Sequence, residues 1–281
     1  MNRPLAGDPG RAGPNGGDAR TADRPELLER LLAEARVEVE ARKRRMPQAH
    51  LERLGRALPA PRDFRGALRQ ERLAVIAEMK SRTPVLGNLS SDYVPGRLAA
   101  LYTAAGAAAL SVLCQETSFG GRPEHLAEAR ALTPLPILRK DFVVDEYQVV
   151  EARAFGADAV LLIAAAGPEE RLRELMEAVR LARLQALVEI RDEAELQMAL
   201  AAGAQVVGVN HRDLRTFEVD TGITVRLRPR VPAEVVYVAE SGIRGADDAR
   251  RMREAGADAI LVGEALMRAA DPAAKLEELR V

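Results

Sequence analysis

Glu78 and Lys80 are two ionisable residues that stand two positions apart, directly after an apolar run at residues 73–77. Side chains two residues apart share one face of a β-strand, so the carboxylate and the ammonium group point the same way. Burying both charges is costly unless they pair or meet a ligand. Groups of this kind transfer protons in enzymes. We therefore expect these two side chains to pair with each other or to meet a ligand at the end of this strand.

Polar or glycine-bearing residues also end five later apolar runs. A single charge after a strand is usually an ordinary loop residue, so only convergence of the whole set on one place would indicate a site. The set comprises Lys140 after the third run, Glu189 in the fifth, Asn210 and Arg212 after the sixth, Glu240, Ser241 and Gly242 after the seventh, and Gly263 and Glu264 after the eighth.

Eight apolar, β-branched runs recur along the chain, and helical stretches such as 168–183 and 192–202 follow them. The runs are residues 73–77, 109–113, 136–138, 159–163, 186–190, 206–209, 235–239 and 259–262. Similar turns precede three of these runs, with Gly156, Gly203 and Gly256 at the expected helix C-caps. This rhythm predicts a (βα)₈ TIM barrel, in which the C-terminal ends of all strands meet at one mouth. An open doubly wound sheet is the alternative on rhythm alone.

A helical extension, residues 23–70, precedes the first strand. Apolar residues at helical spacing between Leu27 and Ala35 predict an amphipathic helix from residue 24 to about residue 45, packed near one mouth of the barrel. Residues 1–22 are dominated by Gly, Pro, Asp, Arg and Asn and are predicted to be a disordered tail. We expect residues 23–281 to form a single domain.

Composition narrows the possible partners and the compartment. Lys plus Arg total 41 and Asp plus Glu total 42, a net charge of -1 that favours neither nucleic acid nor an anionic membrane. The uncharged stretch 98–114 is interpreted as a helix end, a glycine turn and a strand. Cys114 is the one cysteine, so neither an internal disulfide nor a multi-cysteine metal site is expected. Residues 1–24 contain no apolar core of a signal peptide, so we expect a cytoplasmic protein. We also expect the protein to work as a monomer.

The segments after the seventh and eighth runs suit a phosphate group. Barrels of this type commonly bind phosphate there, through backbone N–H groups and the N-terminus of a short helix. Gly242 and Gly263 would let the backbone approach an anion closely. A phosphorylated small-molecule substrate is therefore predicted.

Several motifs, taken in order, resemble the indole-3-glycerol-phosphate synthase family of tryptophan biosynthesis. They are IAEMK at residues 76–80 with TP at 83–84, PILRKDFVVD at 136–145, LVE at 187–189, VNHRDL at 209–214 with TF at 216–217, AESGI at 239–243 and VGEALM at 262–267. The match runs from about residue 27 to the C-terminus.

The resemblance implies a carboxy-lyase that needs no cofactor and no metal. It would convert 1-(2-carboxyphenylamino)-1-deoxyribulose 5-phosphate to indole-3-glycerol phosphate, with loss of carbon dioxide and water. Lys140 matches the general acid, and Glu189 matches the general base. Lys80 matches the lysine that anchors the carboxylate, and the division of acid roles between the two lysines stays open. Other matched residues orient the substrate, namely Glu78, Asn210, Glu240 and, in a less defined role, Arg212.

The resemblance also implies an apolar pocket for the anthranilate ring and a hydroxyl for the phosphate. Thr83 keeps that hydroxyl, whereas Val85 and Leu86 replace the serine and lysine that the family usually has. We expect these changes to weaken phosphate binding. The residues at the pocket positions are Leu113, Phe119, Phe142, Leu161 and Leu214.

Two rival functions are the alternatives to the one that the resemblance implies. One rival is another phosphosugar barrel enzyme, such as phosphoribosylanthranilate isomerase, and the other is a non-catalytic barrel that binds a phosphorylated ligand.

Of the three histidines, His50 and His125 are expected to be solvated. His211 lies at the mouth without metal-ligand spacing.

Overall fold

The computed structural model describes residues 26–84, 87–89, 93–213 and 218–281. The predicted tail, residues 1–22, lies outside the described residues, as do Val85, Leu86, Leu214, Thr216 and Phe217. Three helices precede the first strand: α1 (Glu26–Arg45), α2 (Gln48–Ala57) and α3 (Phe64–Ala67).

Eight parallel strands close into a barrel, which confirms the predicted fold and excludes the open sheet. In the closed order, each strand pairs with its neighbours along the chain, and the eighth strand pairs with the first. The strands are β1 (Ala74–Met79), β2 (Ala109–Leu113), β3 (Ile137–Lys140), β4 (Ala159–Ile163), β5 (Gln185–Ile190), β6 (Val206–Asn210), β7 (Val236–Glu240) and β8 (Ala259–Val262).

Helices between and after the strands surround the barrel. They are α4 (Pro95–Ala104), α5 (Glu124–Arg130), α6 (Glu146–Ala154), α7 (Glu169–Leu181), α8 (Glu193–Ala201), α9 (Gly222–Leu227), α10 (Ala246–Glu254), α11 (Glu264–Met267) and α12 (Pro272–Leu279). The predicted joints are confirmed, since Gly156, Gly203 and Gly256 have φ of 87°, 83° and 86° after their helices. These left-handed conformations are ones that glycine adopts without a steric penalty.

The alternation of side chains along each strand divides the apolar core into two layers. One set of alternate residues faces the helices, and the other set fills the barrel interior. Interior residues include Ile76, Leu187, Val238 and Leu261. Phe64 of α3 packs into the same interior cluster, at the end of the barrel opposite the strands' C-termini. The polar residues at the ends of the strands therefore lie directly above apolar side chains that fill the barrel interior.

Helix α1 packs at one mouth of the barrel, as predicted, and the structure shows that this is the C-terminal side. Leu31 and Leu32 are buried in a cluster with Phe142, which follows β3. Four basic residues in the last turn of α1 complement the negative end of its dipole. In the part of the chain that the structure describes, no helix combines the length and apolar character that crossing a bilayer requires.

A chain of buried ion pairs joins α1 to β3. Arg42 of α1 lies between Glu38, at 3.5 Å, and Glu151, at 3.1 Å. Glu151 in turn pairs with Arg139 of β3 at 2.8 Å, and Arg139 pairs with Asp141 at 2.7 Å. Arg139 points outward because it neighbours the inward-facing Lys140 on the strand. The chain of ion pairs therefore supports the strand end that carries Lys140.

Candidate active site

Strand alternation brings three carboxylates and an amine into the mouth of the barrel. Glu78, Lys140, Glu189 and Glu240 continue the interior-facing sets of β1, β3, β5 and β7, above residues such as Ile76 and Leu187. The first and last of these residues in the sequence, Glu78 and Glu240, are more than 150 positions apart. The barrel topology brings these four side chains to one mouth, as the sequence predicted.

Glu78 and Lys80 form an ion pair at the end of β1. Nζ of Lys80 lies 2.6 Å from Oε1 of Glu78, and the carboxylate is buried. A Cβ atom added at Gly263 would overlap Oε1 of Glu78 and would lie 3.0 Å from Nζ of Lys80. The glycine that follows β8 therefore leaves the space in which this pair is held.

Lys140 lies between two carboxylates from the far side of the barrel. Its Nζ is 3.1 Å from Oε2 of Glu189, to which it donates a hydrogen bond, and 3.5 Å from Oε2 of Glu240. The side chain of Lys140 is 16% exposed, whereas those of Glu189 and Glu240 are 6% and 2% exposed. The ammonium group thus borders the cavity while its partners lie deeper.

The charges around Lys140 determine its protonation state. Burial opposes the ammonium charge, but the carboxylates of Glu189, Glu240 and Glu78 outweigh it and raise the pKa of Lys140 above its ordinary value. For Glu240, burial is the largest cause and Glu189 adds repulsion, so the pKa of Glu240 rises to about 8 although Lys140 lowers it. The three carboxylates therefore determine the direction of the shift and favour the ammonium form of Lys140.

One cavity of about 630 Å³ contains this set, and its far end is apolar. Leu27 and Leu31 of α1 line it, opposite strand residues of the barrel mouth. Phe119 and Phe142 have ring centroids 6.1 Å apart and form part of the same wall. Further apolar lining comes from Leu113, Leu161, Ile163 and Leu261. Such a wall suits a flat aromatic ring.

The other end of the cavity, the predicted anion end, is lined by Ser241, Gly242 and Gly263, which belong to the segments expected to bind phosphate. Ser241 and Gly242 both have positive φ, 68° and 76°. The hydroxyl of Ser241 donates to Oδ1 of Asn210 at 2.8 Å, and the backbone N–H of Arg212 donates to the same oxygen at 3.0 Å. Asn210 therefore fixes two of the loop segments that line this end.

The structure places sixteen of the predicted site residues around this cavity. They are Glu78, Lys80, Thr83, Leu113, Phe119, Lys140, Phe142, Leu161, Glu189, Asn210, Arg212, Glu240, Ser241, Gly242, Gly263 and Glu264. The remaining one, Leu214, lies outside the described residues. Glu264 begins α11, and its carboxylate lies 3.8 Å from Arg268.

Sequence reasoning missed three cations at the anion end, Arg244, Arg268 and Lys275, which also line the cavity. Their position in the loops and helices that follow β7 and β8 was the available signal. Leu27 and Leu31 were predicted as apolar helix positions but not as cavity lining.

The histidine predictions need one correction. His125 is buried, not solvated, because it packs edge-on against Tyr93 with 5.3 Å between ring centroids. His211 is fully buried, and its ring nitrogens contact the hydroxyl of Thr224 at 2.6 Å and the carbonyl of Ser241 at 2.8 Å. Its role is to support the loop behind Ser241. His50 is exposed, as predicted.

Cys114 is fully buried, and burial raises the pKa of its thiol. Within residues 26–84, 87–89, 93–213 and 218–281, His, Cys, Asp and Glu form no cluster of three or more suited to a metal ion.

The closed barrel and the charged cavity at its C-terminal mouth define a (βα)₈-barrel enzyme. A family profile described as indole-3-glycerol phosphate synthase matches residues 28–279. The chain belongs to the indole-3-glycerol phosphate synthase family.

Similar proteins support the family assignment along nearly the whole chain. Indole-3-glycerol phosphate synthase 2 of Streptomyces coelicolor is 54% identical over 253 residues, which cover 90% of this chain and 98% of that protein. Indole-3-glycerol phosphate synthase of a Parafrankia species is 49% identical over 245 residues, covering 87% and 91%. The resemblance seen in the motifs is confirmed.

Two solved structures share the fold at low identity. Thiamine phosphate pyrophosphorylase from Pyrococcus furiosus has a TM-score of 0.57 and 22% identity, covering 78% of this chain and 96% of that one. 3-Hexulose-6-phosphate synthase from Salmonella typhimurium has a TM-score of 0.57 and 16% identity, covering 74% and 97%. These likenesses concern the barrel alone.

Proposed function

We propose that this chain closes the indole ring of 1-(2-carboxyphenylamino)-1-deoxyribulose 5-phosphate, releasing carbon dioxide and water. The observation that carries the proposal is the convergence of Lys80, Lys140 and Glu189 on one cavity with an apolar end and an anion end. The apolar wall holds the anthranilate ring, and the glycine-bearing loops hold the phosphate. Fixing both ends brings the ring carbon close to the carbonyl carbon.

We propose distinct roles for the charged side chains. Lys140 acts as the general acid at the substrate's ketone oxygen, and Glu189, which accepts its hydrogen bond, acts as the base that handles the proton. Lys80 binds the substrate carboxylate, held in place by Glu78. Because its raised pKa makes Lys140 a weak acid in the free enzyme, it donates its proton only after substrate binding has brought the ketone oxygen within hydrogen-bond reach of Nζ.

We propose that the phosphate is bound by backbone N–H groups beside Gly242 and Gly263, with Thr83, Ser241 and nearby cations. Arg244, Arg268 and Lys275 line this end and supply positive charge. These cations supply part of the positive charge that is lost where Leu86 stands in place of the family's usual lysine.

We propose that the chain works as a cytoplasmic monomer, in one domain formed by residues 23–281. Large exposed apolar side chains of the described residues, such as Val37, Leu132, Leu181 and Val225, are scattered over different elements rather than gathered in a patch. The single buried thiol suits a reducing compartment.

A turnover assay on the purified chain tests the function. We expect indole-type fluorescence to appear when the carboxyphenylamino substrate is added. Turnover of phosphoribosylanthranilate instead would favour the isomerase, and binding without turnover of either compound would favour a non-catalytic barrel. Either result would overturn the proposal.

A further inference from the structure

Gly208 is a glycine in the middle of β6, among Val206, Val207 and Val209. It is buried and faces the barrel interior, in the same set as Val206 and Asn210. Its φ is not in the left-handed region, so the backbone does not require glycine there. Glycine within a strand weakens it and commonly marks a close approach of other atoms. The residue type at this position therefore needs a steric explanation.

The atoms that occupy the space beside Gly208 belong to Glu240. A Cβ at Gly208 would overlap Oε1 of Glu240, lie 3.1 Å from its Cδ and lie 3.2 Å from Cδ1 of Leu187. Strand register pairs Glu240 with Asn210 rather than with Gly208. The carboxyl group of Glu240 is therefore withdrawn into the space beside Gly208 of the neighbouring strand.

This withdrawal sets the surroundings of Lys140. Oε1 of Glu240 is buried without a hydrogen-bond partner, and Oε2 stays 3.5 Å from Nζ of Lys140. Oε2 of Glu189 is closer, at 3.1 Å, and accepts the hydrogen bond of the ammonium group. A Glu240 carboxyl group displaced from this space would compete with Glu189 for Lys140.

We propose that Gly208 is a positioning residue for the reaction proposed above, because its missing side chain is the space into which the Glu240 carboxyl withdraws. Gly208 is not among the residues that line the cavity, so it acts through Glu240, whose carboxyl group comes nearest to it. This inference rests on the proposed function for its kinetic consequence, while the steric relation itself can be tested on the folded protein alone.

A mutant cycle between positions 208 and 240 tests the proposal. In the wild-type background we expect G208A to lower kcat by about 10²-fold, since a displacement of about 1 Å of a catalytic group has effects of that size. KM should change by less than about threefold, because the phosphate end is untouched. In an E240D background, whose shorter side chain no longer reaches residue 208, G208A should lower kcat by less than about threefold further.

Thermal unfolding of the same variants separates steric relief from loss of charge. G208A should lower the unfolding temperature in the wild-type and E240Q backgrounds, since glutamine keeps the length of glutamate, but not in the E240D background. The matched control is G167A, where an added Cβ would be 3.6 Å from the nearest atom, an ordinary contact. It should leave kcat and the unfolding temperature unchanged.

Equal losses from G208A in the wild-type and E240D backgrounds, in kcat and in unfolding temperature, would overturn the positioning role and indicate a distorted strand. A neutral G208A would overturn it as well. If the wild-type protein shows no turnover, the proposed function fails, and the unfolding temperatures still decide the relation between Gly208 and Glu240.

Discussion

Lys140 on β3 donates a hydrogen bond to Glu189 on β5, with 3.1 Å between Nζ and Oε2, across the intervening strand β4. The proposed acid and base are thus in direct contact before any proton reaches the substrate. Such a pair can return a proton to the lysine after each transfer without a path from bulk water. The barrel makes this contact possible because inward-facing residues of alternate strands share a layer.

Replacing the proposed acid should abolish turnover. We expect Lys140→Ala to lower kcat/KM by about 10²–10⁴-fold, the usual contribution of a positioned acid or base, while the fold is retained. Fluorescence of the indole product measures the rate, and circular dichroism checks the fold. Lys43→Ala is the matched control, because Lys43 pairs with Asp145 outside the cavity. A Lys140 variant that keeps more than about a tenth of the wild-type rate would falsify the role.

The barrel and most of the cavity could be predicted from sequence, because both follow from local periodicity. Apolar runs and the glycine joints specified the strands to within two residues, as at β5, predicted from residue 186 and observed from Gln185. Once the topology is closed, residues such as Glu78 and Glu189 at the ends of strands must face the same mouth. Family motifs then supplied the roles proposed for them.

Side-chain environments could not be predicted, because they depend on packing between distant segments. The burial of His125 depends on Tyr93, which lies 32 positions earlier in the sequence. The raised pKa of Lys140 depends on carboxylates from three other strands. Arg268 has no strand pattern that would place it at the anion end. These properties emerge only when the elements are packed together.

Breaking the buried ion chain behind β3 should destabilise the fold strongly. Arg139→Met leaves Asp141 and Glu151 buried without their common cation, and removal of one partner of a buried pair costs about 3–5 kcal/mol. Urea unfolding followed by circular dichroism measures this loss. The control Arg180→Met removes an exposed ion pair with Glu177 and should leave the free energy of unfolding nearly unchanged. A loss at Arg139 no larger than that of the control would contradict the prediction.

Removing a cation at the anion end should weaken substrate binding without slowing the chemistry. Arg268→Ala is expected to raise KM about tenfold, as for the loss of a hydrogen bond to a charged group, with kcat nearly unchanged. Steady-state kinetics at low ionic strength measure both constants. Arg250→Ala, an exposed residue of α10 outside the cavity, is the control. An unchanged KM would show that Arg268 does not contact the phosphate.

Deleting the predicted tail should have little effect. Residues 1–22 contain too few apolar side chains to pack, so a chain starting at residue 23 should unfold within about 2 °C of the full-length protein, because surface changes contribute little. Differential scanning calorimetry compares the two. Leu31→Ala is the contrasting change, since Leu31 is buried where α1 packs on the barrel, and should cost about 2–5 kcal/mol. A large loss on deletion of the tail would show that it packs on the domain.

Glu240 should make stability depend on pH in a window that glutamine removes. Its pKa is raised from 4.5 to about 8, so between these values the folded protein holds a proton that the unfolded chain has released. The folded state then binds more protons, and the free energy of unfolding falls as the pH rises through this window. The raised pKa of Lys140 acts in the same direction, but only at pH values above its ordinary range, well outside this window. Relative to the wild type, Glu240→Gln should therefore become more stable from pH 5 to pH 8 and level off above it, as measured by urea unfolding at each pH.

The control Glu52→Gln, on α2, removes a surface carboxylate far from the barrel mouth. A stability difference between Glu240→Gln and wild type that stays constant across the window would mean that Glu240 is already ionised in the folded protein near pH 5, and the repulsion and burial that keep its carboxyl group protonated beside Lys140 would then be too weak to do so.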